Sequence, residues 1–494
     1  VIIMNDPYLA SGTHLPDWSF YRPVFVDGEL LFFVMIRGHQ IDTGGAYPHG
    51  YHPGPYDIHS EGIRIRPVKI FERGEIKSDV YNLILDNVRW NQSVKMDHLS
   101  FVAALKFAER EIQDLVHRYG KDDVLSCGKT LVDITRETIR KNIDMLPDGQ
   151  YYGESSCDDD GTVFDKPVTV RALVRINGPD IIVDLSESDP EVRGFVNIPL
   201  SDTRNRVYLA ILTTMPSEIS SFFNQGVIEA IEVVTKPGTC VHPSYPAPVG
   251  SCPLSLGTQV VEAVWMALAE AAPENIPAVS ARALHPQMVG YDSMKRKTYS
   301  APNFWGEGGG GAIFGHDGWP SMRITQPGVA RKGSVELYEN SFPLRALRWE
   351  IATDHCGAGK WRGGVGNRWE VLNVAGQGLL VSGPTDGGKT MCPKPSRMGA
   401  TPPKYNEEQI IHDGTSNNNI MKRIVPFLPN DVAVMASGGG GGVGNPKERD
   451  LEKVKQDVME RIVSVESARI DYGVVIDPTS FGIDIETTRK LRAS

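Results

Sequence analysis

Two short stretches carry residues suited to metal chemistry. "GTHLPD" places His14 and Asp17 three residues apart, and "FFVMIRGHQIDTGG" ends an apolar run on His39. Two imidazoles and a carboxylate form a donor set for a divalent ion such as zinc or manganese, provided rigid elements hold them and a coordination position stays open. An H-x-x-D turn presents both side chains from one loop, and a neighbouring strand can bring His39 back beside it. Asp42 and Glu61 could add a ligand or hydrogen-bond the imidazoles from behind. Spacing alone also fits loop histidines that merely make hydrogen bonds.

Other motifs carry less. "VSGPTDGGKT" matches G-x-x-x-x-G-K-[ST] through Gly383, Gly388, Lys389 and Thr390. A phosphate loop needs a helix after it, whose first N–H groups hold the anion. Here the prolines of "MCPKPSRMGATPPK" forbid an ordinary helix, so the stretch reads as a loop and not a nucleotide site. "ESSCDDDG" groups Asp158, Asp159 and Asp160; the acids could bind calcium, and a solvated turn is the expectation. Three glycine runs, at 305–318, 355–366 and 437–444, permit close backbone approach and suggest packed irregular loops, with Lys360 and Arg362 interleaved where an anion could sit. No G-x-S-x-G elbow occurs, and no cysteine stands out as a nucleophile.

The elements that must position these residues are mixed. Residues 1–95 read as short strands with Gly/Pro/His-rich loops, and 96–147 as a helical segment. Its first helix is expected to be capped by Asp97, with Phe101, Leu105, Ala108, Ile112 and Leu115 on one face; a second runs from about Asp123 to Met145. Residues 148–330 read as a mixed α/β domain that includes a hairpin at Asn177-Gly178, and 331–446 as β-rich. Residues 447–494 form a C-terminal helix and tail, the helix packing Leu451, Val454, Val458, Ile462 and Val465. Strands and helices come in blocks, so the fold class is α+β, multi-domain, with mixed sheets, helical segments and glycine-rich loops.

Composition excludes some classes. With 40% hydrophobic residues the 494-residue chain can bury large cores, and a net charge of −10 argues against a nucleic-acid grip. The longest apolar run, "LLFFVMI", is far too short to span a bilayer. Six cysteines without a C-x-x-C pair fit a reduced compartment.

The motifs "NDPY-x-x-GTHLPD", "RGH-x-x-D-x-GG", "EG-x-x-I-x-PVKI", "GAGKWRGG" and "SGGGGGVGNP…ERD…SARIDYGVV" resemble, in order and over nearly the whole chain, the B-type subunits of the hydantoinase/oxoprolinase superfamily. The resemblance implies a metal-bearing partner of a separate ATP-using, hydantoinase A-like subunit in a cytoplasmic hetero-oligomer. Its substrate would be a small molecule, with neither nucleic acid nor membrane involved. The family's metal ligands fall on His14, Asp17 and His39, with a further aspartate upstream of the residues given. Relatives open hydantoins, oxoproline and lactams, or carboxylate acetone or acetophenone, at the expense of ATP. Gln40, where the hydrolytic relatives usually have a second histidine, could hold a substrate or bicarbonate oxygen and leans the reading towards a ketone carboxylase; cyclic-amide hydrolysis and a non-catalytic docking scaffold are the alternatives. In either reaction Asp42 and Glu61 are the candidates for general base.

Overall fold

The computed structural model describes residues 1–9, 12–220, 223–302, 306–321, 333–383, 385–390, 392–418 and 420–493. It is α+β, with several sheets and helices. The chain separates into two compact units, one made of Val1–Gln150 with Leu173–Pro253, the other of Tyr151–Ala172 with Leu254–Ser494.

The first unit opens with an antiparallel sheet of β1 (Ile2–Met4), β2 (Asp17–Val26), β3 (Glu29–His39) and β4 (Val68–Lys69), in the order β3-β2-β1-β4. Asp27 and Gly28, with φ of 51° and 85°, make the two-residue turn between β2 and β3. Such a turn matches strand twist and fixes the register, setting Val26 opposite Glu29. A bulge then leaves Leu31 unpaired: Phe25 faces Leu30, but Val24 faces Phe32, and the ladder runs on unbroken to Asp17 opposite His39. A regular ladder from the same turn would put Gly38 opposite Asp17 and turn His39 to the other face. The bulge is what aligns the two.

The opposite face of this hairpin is core. Trp18 and Phe20, with Val34 and Ile36, pack against a helix, α1 (Asn91–Tyr119), through its Val94, Val102 and Leu105. His98 of α1 lies 4.8 Å from the Phe20 ring and 5.1 Å from Trp18, and burial pushes it down to about 3, so it serves as a neutral core side chain. Gly38 is needed because a Cβ there would come within 2.3 Å of the Phe101 ring. The helix begins at Asn91, so Asp97 lies inside it and caps nothing, and Leu115 faces solvent while Val116 is buried. The second helix, Lys121–Ile143, lies within two residues of expectation. The expected turn at Gly178 joins Val168–Asn177 to Asp180–Asp184, and Ile231–Val234 adds to the latter in parallel.

The second unit packs two sheets over one core. Met288, Leu380 and Phe427 from one sheet meet Trp369, Val371, Ile410 and Met435 from a five-stranded sheet. The glycine runs interlock beside it: Gly309 N–H donates to Gly438, Gly364 to Gly310 and Gly440 to Gly364. A Cβ on Gly363 would lie 1.8 Å from the Gly440 carbonyl oxygen, so only glycine permits this approach. Trp305, which opens the first run, lies outside the described residues. Arg362 is buried and turned inward, its Nε donating to Asp457 at 2.7 Å and its Nη1 to the Gly363 carbonyl at 3.1 Å. The terminal helix is broken: Leu451–Met459 and Val465–Ile470 are separate, with Arg461 at φ 60° between them. Its apolar residues still share one cluster with Tyr472 and Val474.

The acidic triplet departs from expectation. Asp158, Asp159 and Asp160 are all buried. The Asp158 carboxylate accepts the backbone N–H of Gly388, Lys389 and Thr390 and the Thr390 hydroxyl. Burial opposes its charge, but the Lys422 ammonium and these donors hold it below the usual carboxylate range. An internal anion thus fills the nest that the phosphate-loop motif would offer, and among the described residues no helix follows; Pro384 of that motif and Met391 after it lie outside the described residues. Among the described residues no helix is long and apolar enough to cross a membrane.

Candidate metal centre

The register of the β2–β3 hairpin delivers Asp17 and His39 side by side, and the turn before β2 adds His14. His39 Nδ1 lies 3.1 Å from Asp17 Oδ1 and His14 Nε2 lies 3.2 Å from His39 Nδ1. His14 Nε2 is 3.5 Å from Asp17 Oδ1. Ligand atoms about 2.0–2.1 Å from a tetrahedral ion stand about 3.3–3.4 Å apart, so this triangle fits one face of such a shell. Among the described residues these three form the sole cluster of such groups able to hold a metal, and neither Asp42 nor Glu61 belongs to it.

Each ligand is oriented from behind. Thr13 donates its hydroxyl to Asp17 Oδ2 at 2.5 Å, leaving Oδ1 for the imidazoles. His14 Nδ1 donates to the Gly250 carbonyl at 2.7 Å, which fixes the tautomer and turns the Nε2 lone pair towards the cluster. The Gly250 and Val249 N–H groups in turn donate to the Glu61 carboxylate at 2.7 and 3.2 Å. A Cβ on Gly250 would sit 2.7 Å from the Gly50 carbonyl and 3.0 Å from Glu61 Oε1, so the loop carries glycine there. Tyr51 covers the pair, its ring stacked 6.2 Å from His39 and tilted 5.5 Å from His14. His49, two residues earlier, is buried and held at φ 64°, a sparsely populated conformation for a side-chain-bearing residue.

The electrostatics suit a cation. Burial would raise Asp17, but the charge and hydrogen bond of His14, then those of His39, hold it well below the usual carboxylate range. Burial would likewise lower His14, yet Asp17 and the Gly250 carbonyl lift it.

The remaining expected residues stand elsewhere. Asp42 accepts the backbone N–H of Arg89 at 2.6 Å and its guanidinium at 2.9 Å; burial still raises it. Glu61 is pushed up to about 8 by burial, only partly offset by its two backbone donors. Gln40 is fully buried, its amide nitrogen donating to the Gly38 carbonyl at 3.1 Å. Thr13, Tyr51, Arg89 and the 249–250 loop escaped sequence reasoning. The histidine- and glycine-dense loop at 44–54 was the one hint of Tyr51.

The family then follows. The sequence model of the hydantoinase B/oxoprolinase family matches residues 1–446, and the chain belongs to that family. It is 33% identical to the beta subunit of the caprolactamase of Pseudomonas jessenii, over 97% of this chain and 82% of the relative. It is 30% identical to the B-type subunit of a putative D-/L-hydantoinase from a Pseudomonas species, over 100% and 83%. Identity to the acetophenone carboxylase delta subunit of Aromatoleum aromaticum is 24%, over 99% and 76%. The crystal structure of ATP-dependent caprolactamase from Pseudomonas jessenii superposes with a TM-score of 0.88 at 31% identity, covering 100% of this chain and 85% of that one. The relatives are enzyme subunits of two kinds, cyclic amidohydrolases and carboxylases.

Proposed function

We propose that this chain is the metal-holding subunit of an ATP-dependent enzyme that opens a cyclic amide of the hydantoin, oxoproline or lactam class, with ATP handled by a separate hydantoinase A-like subunit. The observation that carries this reading is the His14, Asp17, His39 triangle, spaced as three ligands of one ion and open on the side where His39 is half-exposed. The likeness to lactamase and hydantoinase subunits over the full chain supports the hydrolytic branch. The sequence leaned towards carboxylation on Gln40; that side chain is buried, its amide nitrogen donates to Gly38 and its Oε1 has no hydrogen-bond partner among the described residues, so it faces no open substrate space. The Asp158-filled amide nest supports assigning ATP to another subunit.

His14, Asp17 and His39 would hold zinc or manganese, which when bound supplies Lewis acidity at the reacting carbonyl. The chain's own residues do the rest. Asp17 stays ionised at neutral pH because the imidazoles favour its charge. Thr13 and Gly250 keep Asp17 and His14 in the productive orientation, and Tyr51 closes one side against water. Glu61 and Asp42 act as positioning residues, through the 249–250 loop and Arg89 respectively.

The test is the complete enzyme with its ATP-using partner, given ATP, labelled bicarbonate and a panel of caprolactam, 5-oxoproline, a hydantoin, acetone and acetophenone. Ring opening without label uptake, abolished by His14→Ala, is expected. Label in an acid product would put the chain with the ketone carboxylases. A protein that never carries stoichiometric metal would be a docking scaffold.

A further inference from the structure

The second unit holds a cavity of about 280 Å³, lined by Asp159, Phe164, Arg368, Glu407, Met421, Lys422 and Val434 among others. It lies just below the range for ligand pockets, about 300–1,000 Å³, and suits a small molecule. One wall is the outer face of the five-stranded sheet, where Arg368, Ala436 and Glu407 stand in line across three strands and Val434 pairs with Gln409. The other wall is the acidic turn with Lys422.

Both walls carry charged groups with hydrogen-bonding capacity to spare, and Lys422 also pairs with Asp159 Oδ1 at 3.8 Å. Asp159 is 5% exposed; its Oδ1 accepts the Gly161 N–H at 3.0 Å, while its Oδ2 takes no hydrogen bond among the described residues. Oδ2 is not sealed from solvent and can accept a donor brought into the cavity. Lys422 is buried at φ 54°, and its ammonium donates to the Asp159 carbonyl and to Asp386 Oδ1, both at 2.8 Å, two bonds for three N–H groups. Arg368 shares only Nε and Nη2 with Glu370, at 3.4 and 3.3 Å. Strained backbone beside a polar cavity is a feature of binding sites.

The lining selects the ligand. A simple anion would meet Asp159 and Glu407, and a simple cation would meet Lys422 and Arg368. A molecule carrying both charges satisfies both walls, with Phe164, Met421 and Val434 for its carbon chain. We propose that this cavity binds a small zwitterion, an amino acid whose ammonium donates to Asp159 Oδ2 and whose carboxylate pairs with Arg368. The choice of amino acid leans on the cyclic-amide reading, because adding water across a lactam gives an ammonium and a carboxylate on one chain. The cavity would then be a second site for the product class, separate from the metal centre.

Calorimetric titration of the complete enzyme with 6-aminohexanoate and L-glutamate, beside hexanoate and hexylamine, tests this without turnover. An amino acid should bind at least about 10-fold more tightly than either single-charge control. Arg368→Met and Val434→Trp should each weaken it at least about 10-fold, and His14→Ala should leave it unchanged. Equal binding of the controls, indifference to both cavity variants, or loss in His14→Ala would overturn the proposal. Binding that follows the cavity variants in an enzyme that opens no ring would uphold this site while the catalytic reading fails.

Discussion

The alignment of Asp17 with His39 depends on one unpaired residue, and a pair of deletions tests it. Removing Leu31 takes out the bulge: Phe25–Leu30 and Val24–Phe32 become neighbouring pairs, and the ladder still ends with Asp17 opposite His39. Removing Met35, beyond the bulge, moves every later residue back by one, about 3.3 Å along the strand, and turns it to the other face. His39 would then stand opposite Trp18 on the helix side. Metal sites tolerate about 0.2 Å in ligand distance, and losing a supporting hydrogen bond alone costs about 10–100-fold in affinity, so losing His39 should cost more than about 100-fold. Metal content by mass spectrometry, with thermal unfolding of the same samples, reads the outcome. Because the Met35 deletion also turns Ile36 out of the core, His39→Ala in the intact register serves as the comparison that loses the ligand alone. Stoichiometric metal without Met35, or a folded Leu31 deletion with none, would refute the register argument.

Three further outcomes follow from the packing and charges. Gly363→Ala forces a Cβ to within 1.8 Å of the Gly440 carbonyl, and urea unfolding should show a loss of about 2–4 kcal/mol. Asp158→Ala strips the acceptor from three backbone N–H groups and a hydroxyl, and should cost about 3 kcal/mol in the same assay. Glu61, raised from 4.5 to about 8, binds its proton more tightly when folded. Its contribution is therefore fully present below pH 4.5 and is lost as pH rises towards 8. Glu61→Gln should gain stability relative to wild type across that window, at up to about 1.4 kcal/mol per pH unit; an unchanged difference would show that Glu61 is already ionised.

What the sequence disclosed was local. Asn177-Gly178 announces its hairpin because a positive φ is needed at the turn, and "GTHLPD" with "RGHQ" marks strand ends that could meet; the Asp27-Gly28 turn between them was not read from the sequence. The bulge at Leu31 carries no such mark, so the alignment of the pair needed the structure. The support for His14 comes from a backbone carbonyl 236 residues away, and no side-chain pattern signals a carbonyl. Three consecutive aspartates look solvated until the amides of 388–390 and Lys422 are seen around them. The start of α1 was misplaced because Asp97 is a good cap by type, while packing of Val94 decided where the helix begins. Likewise the terminal apolar stripe hid a break, because the residues on both sides of Arg461 serve one core.

The central claim is that His14, Asp17 and His39 hold an ion that turnover requires. The most direct measurement determines bound metal and ATP-dependent ring opening on the same preparation of the complete enzyme, wild type and His14→Ala. About one zinc or manganese per chain with ring opening in the wild type, and neither in His14→Ala at unchanged thermal stability, is the predicted result. Ring opening that persists in a metal-free His14→Ala enzyme would contradict the account.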